Sequence, residues 1–120
     1  MDGTNGSTTF TDSSSNTFTV TANGNAQVST AQSQFGGASA LFDGNGDYLT
    51  IPNSAAFAFG SGDFTVEGWV RTTDTDAVVV SHATNGGATN TNWGVYFISG
   101  VFSFYAVSYT HLTLPTICSV

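Results

Sequence analysis

The chain has 120 residues, with 8 acidic side chains against a single basic one, Arg71, and a formal net charge of −7. Nucleic acid and anionic membranes are held through Lys and Arg, so this balance argues against both as partners, and no apolar run is long enough to span a bilayer. A lone cysteine, Cys118, excludes both a disulfide framework and a cysteine-ligated zinc site.

Charged residues make up only 8% of the chain, and Thr, Ser, Asn and Gly fill its polar positions beside ten Phe, a composition of short strands joined by hydroxyl- and amide-rich turns. No 3.6-residue apolar period persists over two turns, so helix is not expected. Residues 2–16 read as a loop whose backbone groups bond to Ser and Thr hydroxyls. Residues 18–22 alternate as a strand, Asn23-Gly24-Asn25 is a turn, and residues 26–30 are the partner strand of a hairpin. Gly36-Gly37 leads into a second hairpin, Ala38 to Phe42 and Tyr48 to Ile51 about Asp43-Gly44-Asn45-Gly46-Asp47, because Asn-Gly tolerates the positive φ of a primed turn; Pro52 closes it. Residues 54–59 suit a single helical turn or an irregular bridge as well as they suit a strand. In residues 64–70, Phe64, Val66, Gly68 and Val70 alternate with Thr65, Glu67 and Trp69, the pattern of a half-buried strand. Residues 77–81 form a buried-strand run, residues 82–92 a long loop, and residues 93–98 and 101–106 a last hairpin around Ser99-Gly100. Glycine turns at this spacing, without linker or repeat, predict a single all-β domain, an antiparallel sandwich.

The ordered motifs FGGASALFDGNGDYLTIP (residues 35–52) and GDFTVEGWV (residues 62–70) resemble the laminin-G-like, concanavalin A-like jelly-roll domain, in its bacterial and phage branch. The resemblance covers roughly residues 2–106, with its specific part in residues 35–70. It implies an antiparallel two-sheet jelly-roll sandwich, truncated at both ends because that architecture usually needs more chain. It further implies a non-catalytic module, extracellular or virion-associated, that binds carbohydrate or another cell-surface ligand within a larger phage or secreted surface protein. The alternatives are a structural spacer or oligomerisation module of a fibre, self-associating through exposed sheet edges, and the accessory domain of a polysaccharide-degrading enzyme. Residues 107–116, VSYTHLTLPT, read differently: one frame of a transposase library adaptor encodes this peptide. Residues 107–120 are therefore expected to be a non-native tail on a metagenomic fragment, and His111, Pro115 and Cys118 carry no functional argument.

Retaining glycosidases place two carboxylates about 5 Å apart, which on a strand is an i, i+2 acidic pair. No E-x-D-x-E pattern exists: Glu67 is the only glutamate, and Asp63 lies four residues before it. A Ser-His-Asp set can be assembled only from scattered residues such as His82 with Asp74 or Asp76, so no catalysis is expected. Asp43, Asn45 and Asp47 have the spacing of the first half of a calcium loop, but Ser54 stands where an EF-hand needs its bidentate Glu. The plain reading is a turn capped by Asx hydrogen bonds. The resemblance keeps a second reading open, Ca²⁺ held at a loop edge with ligands from another loop. Asp74, Asp76 and His82 are weaker metal ligands still. For carbohydrate, Trp93 beside Asn90 and Asn92, with Tyr96 nearby, offers an aromatic face flanked by amides; the alternative is a Trp anchoring the sheet rim. Trp69, with Glu67 and Arg71 on its face, suits either a concave binding sheet or an ion pair beside a half-buried indole.

Overall fold

A computed structural model of the chain describes residues 1–83 and 91–106. Its elements are β1 (Phe10–Thr11), β2 (Thr19–Asn23), β3 (Gln27–Ser29), β4 (Ser39–Leu41), β5 (Tyr48–Thr50), the 3-10 turn η1 (Ala55–Phe57), β6 (Ala77–Ala83), β7 (Thr91–Ile98) and β8 (Val101–Ala106). Every ladder is antiparallel and none closes into a barrel among the described residues, in the orders β1-β2-β5, β3-β4 and β6-β7-β8. The chain divides into two compact units, Met1–Phe64 and Thr65–Val120. No helix among the described residues is long and apolar enough to cross a membrane.

In the first unit both expected hairpins give way to a different pairing. β2 pairs with β5, Asn23 opposite Tyr48, and β3 pairs with β4, Gln27 opposite Leu41. The run β2–β3 thus lies antiparallel to the run β4–β5, and residues 24–26 on one side face residues 42–47 on the other. A two-residue primed hairpin needs positive φ at both central positions. Here Gly24, Gly44 and Gly46 have it, but Asn23 and Asn45 do not. Both Asn-Gly pairs therefore form corners where the chain passes from one ladder to the next. Residues 10–11, read as loop, add β1 on the other edge of β2, with Phe10 opposite Val20.

Alternation along these strands builds the core. Phe10, Val28 and Ala38 are buried, and Val20, Ala22, Ala40 and Leu49 pack against them. Cross-strand partners supply it in pairs, Phe10 with Val20, Ala22 with Leu49, and Val28 with Ala40. Thr19, Thr21 and Thr50 carry the opposite, exposed parity. The first residues finish β3: Gly6 N–H donates to the Val28 carbonyl at 2.8 Å, and Val28 N–H donates to the Ser7 carbonyl at 2.7 Å. Asp12 ties the next loop, accepting from Ser14 N–H (2.8 Å), Ser14 Oγ (2.7 Å) and Phe18 N–H (2.7 Å). Carboxylate as well as hydroxyl therefore satisfies this loop. Ser54 Oγ accepts from Ala56 N–H and caps η1, which takes the helical turn among the readings open for this segment.

Residues 63–74 form no strand. Alternation sorts side chains to two faces, but a strand exists only within a ladder. Phe64 leaves the pattern to stack on Phe59, ring centroids 4.2 Å apart, and Trp69 is 73% exposed. The binding sheet read for Trp69, Glu67 and Arg71 is thus replaced by chain that joins no ladder among the described residues.

In the second unit the expected hairpin β7–β8 forms about Ser99 and Gly100, both at positive φ, 51° and 75°. Asp76 secures that turn, since its Oδ1 accepts from Ser99 N–H at 3.0 Å while Gly100 N–H donates to the Thr75 carbonyl at 2.8 Å. β6 covers the other edge of β7 with a register shift between Val78 and Val80. Val95 is buried on the central strand, and Phe97 meets its cross-strand partner Phe102 edge to face at 5.5 Å.

Candidate functional site

Two groups of residues gather chemistry. The first is the carboxylate corner between the β2–β5 and β3–β4 ladders. Asn45 N–H donates to Asp43 Oδ1 (2.7 Å), Asn25 Nδ2 to Asp43 Oδ2 (2.9 Å), Asn25 N–H to Asp47 Oδ1 (2.7 Å) and Asp43 N–H to Asp47 Oδ2 (2.9 Å). Each of the four carboxylate oxygens thus accepts from an N–H donor. Donors of that kind stabilise a carboxylate as a turn cap and add no oxygen ligand for a hard cation. Among the described residues no three His, Cys, Asp or Glu side chains gather as a cation-holding cluster. The hydrogen bonds of Asp43, Asn45 and Asp47 are those of the Asx-capped turn.

These bonds have a pH signature. The Asn25 amide, then the Asn45 N–H, hold the Asp43 carboxyl below its ordinary value; the Ser14 hydroxyl, then the N–H groups of Ser14 and Phe18, do the same for Asp12. A carboxyl depressed in the folded chain protonates first in the unfolded one. The stability it contributes is therefore complete above the unfolded value, about 3.9, and is lost as pH falls through the folded value. Urea midpoints are expected to hold steady from neutral pH to about pH 5 and to drop below about pH 4, with a shallower drop in Asp43→Asn and Asp12→Asn. Equal acid slopes in variants and parent would show that these caps contribute nothing.

The second group lies on β6–β7–β8. Trp93 is half-buried, and the ring of His82, its register partner on β6, sits 6.1 Å away at a 42° tilt. Val80, Val95, Phe97, Phe102 and Phe104 continue that face by register. Tyr96 falls on the opposite face, since successive strand residues alternate. A Cβ built on Gly94 would lie within 2.7 Å of two ring carbons and the hydroxyl oxygen of Tyr96, so that side chain folds back over the glycine. Of the carbohydrate set, then, Trp93 and Tyr96 are on opposite faces. Asn90 lies outside the described residues, and of Asn92 only the backbone, in β7, lies within them.

His82 is the neighbour that sequence reading missed as part of this group. Asp76 and His82 stand at the two ends of β6, roughly 20 Å apart at strand rise, and Asp76 is committed to the Ser99 turn. The scattered Ser-His-Asp set therefore does not assemble through Asp76. Asp74 N–H is capped by Thr72 Oγ1 at 2.9 Å, the local turn expected of a solvated loop. No family model, curated protein or solved structure matches the chain.

Proposed function

We propose that the chain is a non-catalytic binding module of the jelly-roll sandwich type, serving a larger virion or secreted surface protein by holding a glycan or similar neutral surface ligand at Trp93. The observation that carries this reading is the pairing of Trp93 with His82 on one face of the β6–β7–β8 sheet. An indole face stacks on the C–H groups of a pyranose ring, and an imidazole edge beside it exchanges hydrogen bonds with hydroxyls. The acidic balance suits a neutral ligand better than an anionic one. Any Ca²⁺ contribution belongs to the same proposal and draws on Asp43 and Asp47 only at the cost of their present caps.

Binding to a glycan array, followed by titration of the best hit, tests it. Trp93→Ala is expected to weaken binding about 30-fold, roughly 2 kcal/mol for a central aromatic anchor. Tyr96→Ala, on the opposite face, is expected to change it by less than about twofold. Equal losses from both variants would move the site off the Trp93 face.

A second reading has its own observation. Val78, Ile98, Val101 and Tyr105 share the Tyr96 face by register and are all exposed, Val78 at 63%. Contiguous exposed apolar side chains of this kind mark association surfaces. Absence of glycan binding together with a concentration-dependent rise in mass, abolished by Val78→Lys, would replace the glycan module with an oligomerisation module.

A further inference from the structure

We propose that Asn45-Gly46 is a site of spontaneous covalent modification, deamidation through a succinimide, and that the fold protects the two other described Asn-Gly pairs from the same reaction. The chemistry needs three things: an asparagine side chain able to turn back onto its own backbone, an accessible amide nitrogen in the next residue, and no Cβ there to obstruct the approach. Asn5-Gly6, Asn23-Gly24 and Asn45-Gly46 all meet the last condition by sequence. Structure separates them on the first two.

At Asn5 the side-chain oxygen accepts from Thr30 N–H (3.0 Å) and Thr30 Oγ1 (3.3 Å), and the attacking nitrogen, Gly6 N, is engaged with the Val28 carbonyl at 2.8 Å. At Asn23 the side-chain nitrogen donates to the Thr21 carbonyl (3.3 Å) and Thr50 Oγ1 (3.4 Å), and its backbone is fixed opposite Tyr48 in the β2–β5 ladder. Asp47 Oδ1 crowds Gly24, where a built Cβ would overlap it. Asn45 differs. It is exposed, among the described residues neither its side chain nor Gly46 N–H makes a hydrogen bond, and a Cβ built on Gly46 would meet nothing within 4 Å. Only the Asn45 backbone N–H is held, by Asp43 Oδ1, and that nitrogen takes no part in the cyclisation.

The step balances with water alone. Hydroxide removes the Gly46 amide proton, the nitrogen attacks Asn45 Cγ, the C–N bond to the side-chain nitrogen breaks, and ammonia leaves with the proton it gains. Water then opens the five-membered imide at either carbonyl, giving aspartate or isoaspartate at position 45 and one more negative charge between Asp43 and Asp47. The isoaspartate product inserts one backbone carbon between Cα of residue 45 and Gly46 N, inside the span that the 2.9 Å bond from Asp43 N–H to Asp47 Oδ2 closes. The modification is thus built to loosen the corner that joins the two ladders.

The full chain is incubated at mildly alkaline pH below its melting temperature and digested with chymotrypsin, which cuts after Phe42 and Tyr48 and isolates residues 43–48. That peptide is expected to gain about 1 Da and to accept methyl groups from an isoaspartyl methyltransferase. It is expected to convert about tenfold or more faster than the peptides holding Asn5 and Asn23, because the three hydrogen bonds at Asn5-Gly6 and the two at Asn23 must open first. In the urea-unfolded chain the three pairs are expected to converge to similar rates. Conversion of Asn5 or Asn23 as fast as Asn45 in the folded chain overturns the proposal, as does a folded-state Asn45 that stays intact while its unfolded counterpart reacts. Asn45→Gln, which preserves the amide with a longer reach, is expected to abolish the mass gain in that peptide and leave the other two rates unchanged.

Discussion

Gly24→Ala is expected to destabilise the first unit by about 3 kcal/mol, the larger part of what a unit of this size can lose. Gly24 has φ of 70°, which alone costs a residue with a Cβ about 1–2 kcal/mol. The new Cβ would also overlap Asp47 Oδ1 and lie 2.9 Å from the Gly46 carbonyl oxygen and 3.2 Å from Asp47 Cα. Two of those three neighbours are backbone, so no change of rotamer relieves the clash. Asp47 must retreat and release Asn25 N–H, and a hydrogen bond to a charged acceptor is worth about 1.5–3 kcal/mol. Gly44→Ala supplies the control: φ there is 83°, nothing lies within 4 Å, and only the backbone cost of about 1 kcal/mol is expected. Urea unfolding followed by circular dichroism separates the two. Equal midpoints for Gly24→Ala and Gly44→Ala would show that the corner yields and that its packing contributes little.

The same corner shows what the sequence conceals. Asn-Gly between apolar runs is a sound hairpin signal when the next few residues are indifferent, as at Ser99-Gly100, where the loop is short and both φ values are positive. Around Asn45 they are not indifferent. Asp43 and Asp47 capture the amides of Asn45, Asp43 and Asn25, and a turn satisfied by carboxylates has no need to close a hairpin. The partner of β5 is then β2, with Asn23 Nδ2 donating to Thr50 Oγ1 across 27 residues, and no local pattern announces so distant a pairing. β7 and β8, joined by two residues, were legible for the opposite reason. Residues 64–70 show the limit of alternation: the faces can be read from the residues, while the ladder depends on what lies alongside.

At the candidate site the legible part was chemical and the illegible part was register. Trp93 announces an aromatic surface by its type. That Tyr96 lies on the other face follows from parity on any unbulged strand, and the β7–β8 ladder runs unbroken from Trp93–Ala106 to Ile98–Val101. His82 could not be found this way. In the register of Ala77–Phe97 and Val78–Tyr96, Trp93 would face Ser81; the irregularity between Val78 and Val80 advances β6 by one residue and brings His82 opposite the indole instead. A bulge of one residue therefore decides which side chain accompanies the tryptophan. Asp12 was missed for a simpler reason. Asp, Ser and Asn two apart at positions 12, 14 and 16 are a legible ladder of side-chain turns, but only the long bond to Phe18 N–H shows that Asp12 sets where β2 begins.

Val28 is where the first unit is expected to be most sensitive to lost volume. Its side chain is 1% exposed, it is the largest fully buried side chain among the described residues, and it touches three separate parts of the unit. Ala40 faces it across the β3–β4 ladder, Phe10 and Ala38 share its core, and a Cβ on Gly3 would lie 3.1 Å from its Cγ1. Val28→Ala removes two methyl groups at about 0.8 kcal/mol each in transfer energy and leaves a cavity, so about 2–3 kcal/mol is expected. Val28→Thr keeps the volume and buries a hydroxyl instead, and with β3's backbone groups taken by Ser7 and Gly6 a cost of about 1–3 kcal/mol follows. Val78→Ala, on an exposed position of β6, is expected to change stability by less than about 0.5 kcal/mol. Measured by urea denaturation, the order Val28→Ala at or above Val28→Thr, with Val78→Ala far below both, is the signature of a core in which contact with Phe10, Ala38 and Ala40 holds the two ladders together. A Val28→Ala loss no larger than that of Val78→Ala would mean the ladders are held by the carboxylate corner and the Gly6–Ser7 bonds alone.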